Sequence, residues 1–246
     1  IALGLGALIF LLAVWRPLRV ASRPFTARLE RILLVAGVAG LASALAAVVL
    51  QGAVGAGTSF WSALSPDTIR EVLTTRFGTA WGIGPVAWAV VLIVLATRPL
   101  RGREAPPPPA PEPEPEPALV GAGGGAPVAT APAPAPVAPA LSTPQVAALA
   151  VPLFALALLP SLGGHTSVQQ PVAALLPANI AHVLAMSAWL GGIAVLVLAL
   201  RTATSTLEPE RRAPLLAGVV GRFSALATLA LPALLLTGVV QAVIEV

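Results

Sequence analysis

The sequence holds no cysteine. Disulfides, thiolate metal ligands and thiol nucleophiles are therefore excluded together. Charge is scarce as well: Asp, Glu, Lys and Arg make up 10% of the chain, against roughly 25% in a soluble domain, too few to cover a water-facing surface of this size. Lysine and tyrosine are absent, so all 14 basic residues are arginine. That skew reads as codon composition and points to no function. Without lysine, the glycine-rich stretch at 121–125 cannot complete a Walker loop. No Ser-His-Asp set and no pair of intramembrane carboxylates is present, so the chain does not read as an enzyme. Histidine occurs twice and methionine once, so candidate metal ligands are few.

What is abundant is apolar surface: 57% of residues are hydrophobic and the mean hydropathy is +0.91. A spanning helix needs about 20 mostly apolar residues. Runs near that length lie at Ile1–Trp15, Ile32–Val54, Ala80–Thr97, Gln145–Leu162, Ala178–Leu200 and Phe223–Val243. The expected fold is all-α, a polytopic transmembrane helix bundle with about six spans. The first run is slightly short, it opens without Met, and Val246 also ends on an apolar run. Both ends read as cuts through a longer protein, and no signal peptide is visible.

The arginines set an orientation. Twelve flank the inner ends of these runs: Arg16, Arg19, Arg23, Arg28 and Arg31 after the first, Arg98, Arg101 and Arg103 after the third, and Arg201, Arg211, Arg212 and Arg222 after the fifth. Only Arg70 and Arg76 lie on the opposite side. The positive-inside rule makes the arginine-rich side cytoplasmic. The isoelectric point near 11.4 reflects this topology and does not indicate nucleic-acid binding; the partner implied is the lipid bilayer.

Three sections follow. Residues 1–97 form a first three-helix half. Residues 98–144 form a cytoplasmic linker, with Pro106-Pro107-Pro108-Pro109 and then Pro-Glu and Ala-Pro alternation, a composition of polyproline II or disorder. It serves as a spacer or a partner-binding segment. Residues 145–246 form a second three-helix half. In the outer loop between the second and third runs, Ser65-Pro66-Asp67 is a helix start, with Ile69, Val72 and Leu73 on one face. A short surface helix is expected near 66–75. Ala36, Gly40 and Ala44, and later Gly191 and Gly192, are small enough to let helices approach closely. Pro152 and Pro232 interrupt apolar helices.

Polar side chains inside a bilayer are costly and mark candidate sites. His165 falls in an outer loop and His182 near the outer end of the fifth run. Met186 is one turn deeper on the same face. Gln241 and Glu245 sit four apart at the outer end of the sixth run, and Gln51 ends the second on that side. Imidazole and thioether together suit copper, and thioether favours Cu(I). His165, His182 and Met186, with Gln241 and Glu245 as possible additions, form the candidate metal site. The competing reading makes His182 an interfacial residue bonded to water or a carbonyl, Met186 core filler, and Glu245 the exit from the bilayer.

Several stretches resemble the copper resistance protein D (CopD) family. Ala181-His182-Val183-Leu184-Ala185 followed by Ala188-Trp189-Leu190-Gly191-Gly192 is the most specific, with Gly163-Gly164-His165 before it and Arg222-Phe223-Ser224 and Leu236-Thr237-Gly238 after it. The first half adds Gly6-Ala7-Leu8-Ile9-Phe10, Trp15-Arg16-Pro17 and Thr75-Arg76-Phe77-Gly78-Thr79-Ala80-Trp81. The resemblance implies copper transport, usually uptake across the bacterial inner membrane, with copper handled at His165 and His182. It also implies a periplasmic copper-binding partner of the CopC type, separate or fused. Two other functions stay open. A b-type haem electron-transfer protein would need axial histidines at matched depths. A non-catalytic membrane scaffold would dock partners through the linker.

Overall fold

A chain this apolar can satisfy its backbone in a bilayer only by hydrogen-bonding within helices or a closed barrel. The computed structural model describes residues 1–97, 141–163, 169–205 and 207–245, and every regular element among them is helical. They are α1 (Ala2–Leu18), α2 (Arg23–Ala56), α3 (Pro66–Thr74), α4 (Phe77–Ala96), α5 (Thr143–Gly163), α6 (Val172–Thr204) and α7 (Pro209–Glu245). Five of these, α2, α4, α5, α6 and α7, are long and apolar enough to cross a membrane, and α1 is apolar but shorter. The Pro-rich segment up to residue 140 and the loop bearing His165 lie outside the described residues.

Several helices outrun their apolar segments. α2 spans 34 residues, about 51 Å, and starts nine positions before the expected Ile32. Ser22 caps it by accepting from the Phe25 amide, with Pro24 in the first turn, a strong start signal that lies among arginines and that hydropathy ignores. α7 likewise begins at Pro209, well before Phe223. α6 begins at Val172, six positions before the expected Ala178, with Pro177 inside it. α3 forms as expected: the Ser65 hydroxyl accepts from the Thr68 amide. Its Val72 is buried against the outer part of α2, where a Cβ on Gly52 would come within 3.1 Å of Val72 and 3.0 Å of Thr68. Leu73, expected on the same face, is exposed.

α1 is the axis of the bundle. Leu5, Ala7, Leu8, Phe10, Leu11, Val14 and Trp15 are all buried, and α2, α5, α6 and α7 pack around them. α4 closes the ring between α2 and α5. The closest approach is between α1 and α6. A Cβ on Gly6 would lie 2.5 Å from Gly191 Cα and closer still to the Ser187 carbonyl oxygen; one on Gly191 would lie 2.6 Å from Gly6 Cα. Only two glycines permit this contact. α6 loosens into a π turn at Ser187–Gly191 where it occurs. The other small residues serve neighbouring contacts: Trp88 of α4 lies over Gly40, and Phe223 of α7 over Gly192.

The arginine-bearing helix ends lie together. Arg16 donates to the Leu141 carbonyl at 2.6 Å, tying the end of α1 to the start of α5. Leu18 and Val20 share a depression with Glu210, Arg211 and Pro214. Just inside this end Trp15 stacks on Phe25 with centroids 3.7 Å apart, and Phe10 lies 6.3 Å from both Phe25 and Phe223. The outward faces are apolar too: Leu229 is 75% exposed and Val35 61%, as lipid-facing positions require.

Gly6→Val should therefore destabilise the bundle by about 3 kcal/mol or more, the upper end of overpacking costs. At Gly55 of α2, where a Cβ would meet nothing within 4 Å, Ala should stabilise by about 0.5–1 kcal/mol. Unfolding of the two variants in detergent checks both; equal stabilities would contradict the close crossing.

Candidate metal site between the sixth and seventh helices

α6 and α7 pack antiparallel along their outer parts, and almost all of their contact is apolar. Ala185, Ala188 and Ala230 form a small buried cluster with Ala233 and Leu234 at its margin. Against that background the polar side chains stand out. His182 lies ten positions after Val172, about 15 Å along the helix, which is deeper in α6 than the apolar run alone suggests. It is half-buried, and its Nδ1 is 3.0 Å from Thr237 Oγ1 of α7. Thr237 in turn lies 2.6 Å from the Ala233 carbonyl oxygen.

Gln241 follows Thr237 by one turn on the same face. Its Nε2 is buried and has no hydrogen-bond partner among the described residues. A buried amide without a partner costs about 1–3 kcal/mol and calls for an explanation. Gln169, just before α6, donates from its Nε2 to the Ile244 carbonyl at 3.3 Å. That bond satisfies one of the free carbonyls at the end of α7 and closes the α6–α7 pair at this end.

Met186 is half-buried one turn deeper on α6, about 6 Å below His182 along the axis. Ser187, next to it, is fully buried and donates to the Val183 carbonyl at 2.7 Å. The structure thus brings His182 together with Thr237, and places Gln241 on the Thr237 face. His165 and the Glu245 side chain lie outside the described residues. Gln51 is exposed on α2. Among the described residues no three His, Asp or Glu side chains gather as a metal cluster, so this set is sparse.

Two polar residues escaped the sequence reading. Thr237 was visible only as part of a family-like Leu-Thr-Gly stretch. Asn179, half-buried one turn before His182, was passed over inside an apolar run. The signal for both was helical register: Asn179 and His182 are three apart and Thr237 and Gln241 four apart, so each pair shares a face. A cavity of about 450 Å³ lies elsewhere, walled by Ala36, Gly40, Ser43, Trp81, Trp88 and Leu156 among others. Among its described lining residues there is no histidine, methionine or acid.

Residues 1–107 match the family described as copper resistance protein D-like, N-terminal domain. No curated protein and no solved structure matches the chain. The matched stretch contains α1 to α4, and His182 and Thr237 lie beyond it.

With no partner for its Nε2 among the described residues, Gln241→Leu should leave stability unchanged or raise it by about 1 kcal/mol. Thr237→Val, which breaks a made contact, should lower it by about 1 kcal/mol. Thermal unfolding without added metal reads both, and a loss for Gln241→Leu would mean that the amide is bonded after all.

Proposed function

We propose that this chain, whose first 107 residues match the copper resistance protein D-like N-terminal domain, carries copper ions across the bacterial inner membrane, inward. The observation that carries the reading is His182: a half-buried imidazole held between two apolar helices. Ionisable residues inside membrane bundles mark ion pathways. Met186 on the same face supplies the soft thioether that suits Cu(I). In this reading the site faces the periplasm, because the arginine-bearing ends face the cytoplasm. His182 receives the ion, His165 assists from its loop, and Met186 accepts it one turn deeper. A periplasmic copper-binding protein or fused domain of the CopC type delivers it.

The sparseness of the ligand set fits transport better than storage. An ion that must leave again needs sites that bind weakly enough to release it. Two or three neutral ligands meet that need, where a closed cage of carboxylates or thiolates would hold the ion.

The full-length protein, expressed in a copper-uptake-deficient strain, should raise cellular copper. His182→Ala should bring accumulation back to the level of cells without the protein, and Met186→Leu should reduce it several-fold. Undiminished uptake by the His182→Ala variant would exclude this site.

A further inference from the structure

A threonine hydroxyl carries one hydrogen, and that of Thr237 is already committed. Its Oγ1 lies 2.6 Å from the Ala233 carbonyl oxygen, with a longer approach of 3.3 Å to the Leu234 carbonyl. A carbonyl cannot donate, and two oxygens at that distance repel unless a proton lies between them. The hydroxyl hydrogen therefore points back along α7, as it commonly does for threonine within a helix. What Thr237 offers across the interface is a lone pair.

His182 Nδ1 meets that lone pair at 3.0 Å. The contact is a hydrogen bond only if Nδ1 carries the hydrogen. A neutral imidazole has one N–H, so Nε2 is then left as a bare acceptor. Gly238, next to Thr237, lies beside the ring: a Cβ there would sit 3.7 Å from His182 Cε1, an ordinary contact.

We propose that Thr237 is a positioning residue that holds His182 in the tautomer with Nε2 bare, so that Nε2 is the atom that takes the copper ion. This rests on reading His182 as the copper-receiving residue. The geometry resembles the general arrangement in which a metal-binding histidine donates its other ring N–H to a fixed acceptor. Here the acceptor is a hydroxyl on a neighbouring helix, and its direction is set by that helix's own backbone. Because the acceptor sits on α7 and the ligand on α6, the ring is oriented only while the two helices stay in register.

The test uses the full-length protein in lipid nanodiscs with ¹⁵N-labelled histidine, the two histidines being distinguished by a His165→Gln variant. His182 should show a protonated Nδ1 and an unprotonated Nε2. Thr237→Ser should keep this pattern, and the near-isosteric Thr237→Val should lose it. Cu(I) affinity, measured with the ion alone, should fall about tenfold in Thr237→Val and recover in Thr237→Ser. A hydrogen on Nε2 in the unmodified protein, or an unaltered tautomer in Thr237→Val, overturns the proposal. Affinity lost in His182→Ala but unchanged in Thr237→Val overturns the positioning role and leaves His182 as the receiving residue. Affinity unchanged in His182→Ala overturns the reading of His182 and with it the assignment of Nε2.

Discussion

The bundle depends on the crossing of α1 and α6 at Gly6 and Gly191. In lipid, apolar side chains gain little by leaving the solvent, since the solvent is as apolar as they are. Helices are held by close packing and by short polar contacts between backbones. At this crossing the Ser187 carbonyl of α6 faces Gly6 and the Ala2 carbonyl of α1 faces Gly191, a geometry suited to weak Cα–H···O contacts. The π turn of α6 lies at the same place, and α1 packs against it. Everything around it follows in layers. Trp15, Phe25, Phe10 and Phe223 fill the space on the arginine side, and α7 packs on α6 beyond.

The same apolar economy isolates the site. In a soluble protein a single His–Thr contact would be one of many. Here the interior between α6 and α7 has alanines and leucines on most of its contact surface, so each polar group must find its partner there or go without. His182 finds Thr237, while the Gln241 Nε2 finds no partner among the described residues. Such a site is defined less by the number of its ligands than by the lack of alternatives for whatever polar species enters it.

The fold was largely legible because hydropathy and arginine placement are strong signals in a chain with so few charges. Helix ends were less legible for a physical reason. An apolar run measures the thickness of the bilayer, whereas Ser22 with Pro24 marks where α2 begins, in water and among arginines. α6 likewise starts before its apolar run, at Val172 instead of Ala178, with Pro177 inside it. The candidate site was half legible. His182 could be picked out as a lone ionisable residue, but its partner lies 55 positions away on another helix, and no local pattern links the two. The most specific family-like stretches lie around His182, while the family match falls on residues 1–107; the two halves of the argument come from different ends of the chain.

The bond from Arg16 to the Leu141 carbonyl has a consequence for chain connectivity. It fixes the start of the second half on the first half, and the crossing of α1 with α6 and the packing of α4 on α5 extend that grip across the bundle. Residues 16 and 141 lie 125 positions apart in the sequence, so their meeting closes a long loop, and the entropic cost of such a closure grows only slowly with its length.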